Sequence, residues 1–181
     1  KKEVKMANCP LTSGRQTSCR DVAGGAQAIY FIKYGDSGFS PTVTGMQVTT
    51  VAGGALTVYK FGLHANVGSA TSTLTNDPTG SRSYEQVVTA QLHKMDLNTS
   101  DLLDEIDAGR WHVILEDING AFWLYGKDSG LYRSGDTVTG QARADFNGYN
   151  LTLTGQEPRD VYSVADAWTE EVDITIDDGS V

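Results

Sequence analysis

Two groups of carboxylates are the side chains with the clearest capacity for acid–base chemistry. One is the adjacent pair Glu116 and Asp117, and the other is a cluster within one short segment, formed by Asp101, Asp104, Glu105 and Asp107. Paired carboxylates work as general acid and base when an apolar pocket separates their pKa values. The cluster belongs to a predicted helix with an exposed acidic face, so solvation is the favoured interpretation and neither group is assigned a catalytic role.

The histidines and cysteines form no recognisable nucleophile or metal motif. His64, His93 and His112 fall in predicted strands without a serine or cysteine partner, which favours packing or surface roles. Cys9 and Cys19 stand ten positions apart with no histidine near them, so a metal site is weakly supported. Two small buried residues are the favoured interpretation of this pair, and a disulfide stays open. No enzymatic activity, no cofactor and no metal are therefore expected.

A group of aromatic residues in the second half of the chain offers a further kind of chemistry. Aromatic rings can form a stacking platform for sugars or bases, but their alternation with polar residues favours a sandwich core. The aromatic residues concerned are Trp111, Phe122, Trp123, Tyr125, Tyr132 and Tyr149. A non-catalytic carbohydrate-binding or ligand-binding β-module remains an alternative on this basis.

Composition narrows the class of protein. The chain has 181 residues, of which 20 are Gly, and a formal net charge of −9. This length favours a single domain, and Gly together with frequent Thr favours a β-rich chain with many reversals. The negative charge argues against tight binding of nucleic acid, which requires clustered Lys and Arg. No apolar run approaches the ~18 residues of a membrane span, so no membrane partner is expected.

Turn signals between β-branched runs predict a series of hairpins. Gly53-Gly54 is expected to join strands over 43–51 and 56–63. The segment Asn76–Gly80 is expected to join strands over 67–74 and 82–94 in a long hairpin that projects from the body. A third hairpin is expected to turn at Asn119-Gly120. These elements predict a mainly β fold.

One segment has the pattern of a helix, over Thr99–Ala108. Thr99 or Ser100 is expected to be the N-cap, with acidic residues in the first turn, where the helix dipole favours them. Leu102, Leu103 and Ile106 form the apolar stripe, and Gly109 suits the left-handed position that ends a helix.

The two ends of the chain carry opposite charge. Residues 1–20 hold five basic side chains and one acidic one, and residues 160–181 hold seven acidic and none basic. Solvated tails would explain this, but arms that bind neighbouring subunits are the sharper hypothesis. It divides the chain into an N-terminal arm (1–26), a β-sandwich body (27–157) and an acidic C-terminal arm (158–181). The predicted intersubunit residues of the arms are Arg15, Arg20, Asp160, Glu170, Glu171 and Asp173.

Three blocks of sequence carry a resemblance to a known family. The first runs from Cys9 through Gly14-Arg15, Cys19-Arg20-Asp21 and Gly24-Gly25 into Ile29-Tyr30-Phe31. The second is Leu92-x-Lys94-Met95 before the acidic helix, and the third joins Asp128-Ser-Gly130, Asn147-Gly148-Tyr149 and Gly155-x-Glu157-Pro158. In this order the blocks resemble tail-tube (major tail) proteins and related small structural proteins of tailed bacteriophages.

The resemblance implies a virion protein of the tail, made in the host cytoplasm. It implies a tail-tube-like β-sandwich or barrel with one flanking helix and a long projecting hairpin. Subunits of that family form rings, expected here to be hexamers, whose inner strands join into one barrel. The rings stack into a tube. The implied partners are further copies of the chain, other phage tail proteins, and DNA that passes without specific binding. A head decoration or neck-ring protein is the alternative within the same class.

Two surfaces of this tube can be assigned to residues. Alternation along the strand from Arg82 to Lys94 places Tyr84, Val88, Ala90 and Leu92 toward the core, with Gln86 as a polar exception. The opposite face is predicted to line the lumen and contains Ser83, Glu85, Thr89, Gln91 and His93, with Val87 as an apolar exception. The loop predicted to touch an adjacent ring or subunit contains Asn76, Asp77, Pro78, Thr79 and Gly80.

Overall fold

The computed structural model describes residue 15 and residues 23–64, 67–76 and 81–179. This part of the chain is mainly β, as the sequence predicts. Its elements are β1 (Ala26–Lys33), β2 (Phe39–Thr44), β3 (Gln47–Ala52), β4 (Leu56–Gly62), β5 (Gly68–Asn76), β6 (Arg82–His93), α1 (Leu97–Asp107), β7 (Trp111–Asp117), β8 (Phe122–Tyr125), β9 (Tyr132–Val138), β10 (Gly148–Glu157), β11 (Tyr162–Val164), a 3₁₀ helix (Asp166–Glu170) and β12 (Ile174–Asp177).

The strands form two sheets, and neither closes into a barrel within the described residues. The larger sheet has eight strands in the order β12-β4-β1-β7-β8-β11-β3-β2. The smaller sheet has four antiparallel strands in the order β5-β6-β10-β9. The predicted hairpins β5–β6 and β7–β8 are both present, and Gly120 supplies the positive φ (80°) that the second turn requires.

Two apolar clusters form the core, and β1 contributes to both. The first joins the two sheets, and the second is formed by the larger sheet and the 3₁₀ helix. Phe31 packs with Val88 and Leu153 of the smaller sheet, whereas Tyr30 and Ile32 on the other face of β1 pack with a second cluster around Trp168. Burial on both faces explains why the sequence of β1 is a continuous run of apolar residues rather than an alternating one. The smaller sheet is covered on one face only, which leaves its other face to solvent.

Helix α1 begins earlier than the sequence pattern predicts. Asp96 is the N-cap, and its carboxylate accepts hydrogen bonds from the Thr99 N–H (2.7 Å) and hydroxyl (3.0 Å). The expected N-caps, Thr99 and Ser100, therefore lie inside the helix, and its first turn contains no acidic residue. Leu103 and Ile106 are buried as predicted, but Leu102 is exposed, and Gly109 does not adopt the left-handed conformation.

The hairpin predicted at Gly53-Gly54 is wrong. β3 pairs with β2 and with β11, whereas β4 pairs with β1 and β12. The turn of the β2–β3 hairpin is at Gly45, which has a φ of 66°. A Gly-Gly pair permits a hairpin but does not enforce one, because long-range strand partners decide the pairing.

The C-terminal segment is part of the body, which corrects the predicted boundary at 158. β11 lies inside the larger sheet between β8 and β3, and β12 adds to its edge beside β4. Trp168 is fully buried between them. Seven acidic residues made this segment resemble a solvated arm, but its apolar residues alternate with them and supply one wall of the second core cluster. Residues 1–14 and 16–22 of the predicted N-terminal arm, with Cys9 and Cys19, lie outside the described residues.

Candidate functional site: the polar face of the four-stranded sheet

The two faces of the smaller sheet differ completely in chemistry. On β6, the alternate residues Gln86, Val88, Ala90 and Leu92 are buried in the core. The residues between them point to the opposite side, and the pairing registers of β5, β10 and β9 extend this alternation across the whole sheet. We call the solvent-directed side the polar sheet face.

Nineteen positions make up the polar sheet face, and none is Lys or Arg. Glu85 and Asp136 are its two carboxylates, most of the other positions are Ser, Thr, Asn or Gln, and three are Val or Tyr. In strand order the positions are Ser69, Thr71, Thr73 and Thr75; Ser83, Glu85, Val87, Thr89, Gln91 and His93; Gly148, Asn150, Thr152, Thr154 and Gln156; and Tyr132, Ser134, Asp136 and Val138.

Hydrogen bonds between strands fix the polar side chains of this face. The Gln91 amide donates to the Asn150 amide oxygen (3.0 Å), and the Asn150 amide donates to the Asp136 carboxylate (3.2 Å). On the same face, between β5 and β6, the hydroxyls of Ser69 and Thr89 are 2.8 Å apart. Cross-strand pairs of this kind stabilise a sheet and restrict its side chains. The result is a hydrated, ordered and weakly acidic surface.

Of the basic residues near this surface, Arg133 is turned away from it and Lys94 lies at its rim. Arg133 of β9 points to the core side, where it pairs with Asp107 of α1 and has a side chain only 8% exposed. Lys94 follows the last residue of β6 and turns the chain with a φ of 70°. The nineteen positions of the polar sheet face themselves include no Lys or Arg that would neutralise a phosphate group.

All five residues predicted to line a lumen lie on this face. Glu85, Gln91 and His93 are exposed, and Ser83 and Thr89 are partly exposed. Sequence alternation alone located them, although what they face in an assembly stays a prediction. The pairing register adds the contributions of β5, β10 and β9, which no pattern within one strand could reveal.

Gln86, the polar exception among the core positions, has a specific structural role. It is 2% exposed; its side-chain oxygen accepts the Gly126 N–H (2.8 Å) and its amide donates to the Arg159 carbonyl (3.3 Å). Gly126 is also contacted through its carbonyl oxygen, which lies 2.6 Å from His112 Nδ1. Burial lowers the pKa of His112, so the neutral ring, donating from Nδ1, is the form that fits this contact.

A buried carboxylate completes the anchoring of the loop at 126–130, which connects the two sheets. Glu157 is 3% exposed and accepts the N–H groups of Ser129 (2.8 Å) and Asp128 (3.0 Å). Burial raises the pKa of the Glu157 carboxyl, and these two backbone hydrogen bonds oppose that shift. Its hydrogen-bonding capacity is used by the loop, which assigns it a structural role.

The carboxylate pair considered for acid–base chemistry is divided between two structural tasks. Glu116 accepts a hydrogen bond from the Tyr30 hydroxyl (2.7 Å), and burial together with this contact raises the pKa of Tyr30. Asp117 accepts the N–H groups of Asn119 (2.8 Å) and Ala121 (3.0 Å) and so stabilises the hairpin turn. The two carboxylates do not converge on a shared pocket.

Of the aromatic group, Trp111, Tyr125 and Tyr149 are buried as expected for a core. Phe122 and Trp123 are partly buried, and Tyr132, on the polar sheet face, is 59% exposed. These rings thus form no shared exposed stacking platform among the described residues.

The predicted intersubunit residues occupy varied environments. Asn76 ends β5, and the rest of its loop (77–80) lies outside the described residues, as does Arg20; Arg15 is exposed. Glu171 accepts the N–H groups of Val51 and Ala52, both at 2.8 Å, and Asp160 accepts the Ser72 hydroxyl at 2.6 Å. These two carboxylates thus bind residues of their own subunit, and a contact of this segment with a neighbouring subunit stays a prediction. Glu170 and Asp173 are exposed.

A shallow groove lies at the rim of the polar sheet face, beside the end of β6. It has a volume of about 700 Å³ and is lined by Gln91, His93, Lys94, Met95 and the segment 144–147. The His93 ring meets those of His64 (4.8 Å between centroids) and Phe146 (5.2 Å) edge to face. In the part of the chain that the structure describes, no three His, Cys, Asp or Glu side chains converge in a way that would hold a metal ion.

Comparisons with known proteins identify no relative. No family model, no curated protein sequence and no solved structure matches the chain. Among the described residues, no helix has the length and apolar character needed to span a bilayer.

Proposed function

We propose that this chain is a structural subunit of a phage tail tube, and that its polar sheet face lines the channel through which DNA passes. The observation that carries the proposal is the composition of that face: two carboxylates and no Lys or Arg among nineteen positions. The resemblance of the sequence blocks to tail-tube proteins supplies the biological context.

A DNA channel must be wetted by water and must not bind phosphate. Affinity for DNA grows with each phosphate that Lys or Arg neutralises. At physiological salt a charge acts over about 8 Å, so the side chains of the wall matter more than the net charge of the subunit. The weak negative charge of Glu85 and Asp136 would repel the duplex without attracting a dense layer of cations.

The order of the polar side chains supports the same role. Gln91, Asn150 and Asp136 satisfy one another through hydrogen bonds across three strands. Such paired groups gain less from a new hydrogen bond to a passing phosphate than free groups would. DNA can slide along such a wall because few of its hydrogen-bond donors are left unpaired and free to hold a phosphate.

The dimensions of the sheet are compatible with a channel. Four strands spaced about 4.8 Å apart cover about 19 Å of circumference. Six copies would give about 24 strands, and barrels of ~16 strands or more enclose an aqueous channel. The ring number follows from the family resemblance and is part of the proposal.

Electron microscopy of the purified protein tests the assembly. We expect rings or tubes whose inner wall is the four-stranded sheet. A protein that stays monomeric at all concentrations, or an assembly with the polar sheet face on its outside, contradicts the proposal. Closed rings that never stack, even at high concentration, would favour the neck-ring alternative.

A second experiment tests the chemistry of the wall. Thr154→Lys with Gln156→Lys adds two cations to β10 on the polar sheet face, and Thr57→Lys with Thr50→Lys adds the same charge to exposed positions of the larger sheet. In assembled particles we expect only the first variant to retain linear DNA at low salt. Equal retention by both variants would show that the face does not contact the DNA path.

A further inference from the structure

The four outer edges of the two sheets are protected to very different degrees. In the larger sheet, β2 contains Pro41 and two register shifts, and β12 has four residues including Asp177. Proline, irregularity, shortness and charge are the usual features that prevent a sheet edge from pairing with another chain. Both edges of the larger sheet therefore carry features that disfavour the addition of further strands.

The edge strand β5 of the smaller sheet has none of these features. It is nine residues long, contains no charged residue and no proline, and pairs with β6 without a register shift. In an isolated subunit such an edge is an aggregation hazard. The opposite edge, β9, has its one basic residue, Arg133, turned to the core and paired with Asp107, and its one carboxylate, Asp136, lies on the polar sheet face, where it accepts the Asn150 amide.

The direction of the strands determines how a second copy could continue the sheet. Neighbouring strands of β5-β6-β10-β9 are antiparallel, so β5 and β9 run in opposite directions. Copies related by rotation about one axis keep the same strand directions. The β9 of one copy would therefore meet the β5 of the next in the same antiparallel arrangement, which permits a closed ring.

A groove of about 360 Å³ opens beside β5 on the core side of the smaller sheet. Its apolar walls come from Ala70 of β5 and from Leu115, Trp123, Tyr125 and Val161. Ala70, Trp123 and Val161 are only partly buried, although all three pack against the core cluster. The groove is the open end of that cluster.

Helix α1 lies on the same side of the smaller sheet but at its opposite edge. Its last residue, Asp107, contacts Arg133, which is in the same cross-strand row as Leu153, Val88 and Ala70. The C-terminal end of α1 and the groove thus stand at the same level of the sheet. Leu102 of α1 is 42% exposed and has no place in the core of its own subunit.

The charges of the two surfaces are complementary. Helix α1 contains four carboxylates and no basic residue, and Asp107 is the one of them that pairs with a cation among the described residues. Arg159 is exposed, makes no ion pair with any residue the structure describes, and lies beside the groove through its neighbours Asp160 and Val161. Asp117, also at the groove, has its carboxylate occupied by its own turn.

We propose that helix α1 of a second copy of this chain docks over the groove beside β5, in register with a β9 strand of that copy that continues the sheet. Leu102 then enters the groove, and the free carboxylates of α1 face Arg159. This inference rests on the ring assembly proposed above and identifies the surfaces that would form its interface.

A charge exchange tests the interface. Glu105→Lys is compatible with the folded subunit, because a cation near the C-terminal end of a helix is favourable, and Arg159→Glu changes an exposed residue. We expect each single variant to raise the concentration needed for assembly about tenfold or more. In the double variant this concentration should return close to the wild-type value. Leu102→Asp should have an effect of similar size, and Lys33→Glu, an exposed reversal on β1, should have none.

The results separate this inference from the function on which it rests. If the wild type forms rings and both single variants assemble at the wild-type concentration, the docking site is wrong and the tube proposal stands. If the double variant assembles no better than the single variants, the Glu105–Arg159 contact is wrong. A wild type that never assembles overturns the tube and the interface together. Analytical ultracentrifugation distinguishes these three cases, and circular dichroism verifies that each variant is folded.

Discussion

Replacing Trp168 by Ala tests whether the acidic C-terminal segment belongs to the fold. Trp168 is fully buried, and its ring lies edge to face with Tyr30 (5.1 Å between centroids) and Phe122 (5.6 Å). It also packs with apolar residues of β3, β4 and β11 in the second core cluster. Its removal leaves a cavity between strands that are distant in sequence.

The expected cost follows from the size of that cavity. Substituting a buried Trp or Phe by Ala lowers the free energy of unfolding by about 3–5 kcal/mol. The free energy of unfolding of a domain of this size is about 5–15 kcal/mol, so the variant would lose a large fraction of its stability. Its Tm should fall by about 6–20 °C.

Thermal and urea unfolding followed by circular dichroism provide the measurement. Val172→Ala is the matched control, because Val172 lies four residues away and is 100% exposed, and its effect should stay within about 0.5 kcal/mol. If Trp168→Ala were as mild as Val172→Ala, the segment would be an arm that the body does not need, and the placement of β11 and β12 would be in doubt.

Three further predictions concern buried polar groups. Gln86→Ala should cost about 1–3 kcal/mol, measured by urea unfolding, because the Gly126 N–H loses its buried acceptor. Burial lowers the pKa of His112, so below about pH 6.5 the unfolded chain gains a proton that the folded ring does not, and stability should fall as the pH drops. His112→Gln should make the melting temperature depend less steeply on pH in this range. Glu171→Ala should cost about 1.5–3 kcal/mol by freeing two strand N–H groups of β3, and Glu170→Ala, at an exposed neighbour, should change stability little.

Local patterns predicted the features that depend on residues close in sequence. The alternation along β6 correctly assigned the two sides of the strand, because successive side chains of a strand point to opposite sides. Tyr84, expected in the core, is only partly buried. The hairpins β5–β6 and β7–β8 were predicted because their strands adjoin the turn that connects them. Even locally the prediction was imperfect: Asp96 caps α1 three residues before the expected site, since an Asp competes as well as Ser or Thr for that position.

The tertiary structure decided everything that depends on distant partners. β3 and β4 are neighbours in sequence with a Gly-Gly turn between them, yet each pairs elsewhere, β3 with β11 and β4 with β12. Those partners come from the C-terminal segment, whose acidic composition concealed a buried Trp168. The free energy gained by burying a few apolar side chains outweighs the preference of the alternating charged residues for water. A count of residue types does not reveal this, because it does not show which positions are buried.

The candidate site shows the same division. The sequence alone identified one strand of the polar sheet face, with Glu85, Gln91 and His93 exposed along it. Only the pairing of β6 with β5 and β10, and of β10 with β9, showed that this strand is part of a larger surface without Lys or Arg. The pairing places Asn150 and Asp136 beside Gln91 and turns Arg133 to the core. Which residues share a face is set within a strand by its period of two, but between strands by the pairing that minimises the exposure of apolar surface across the whole fold.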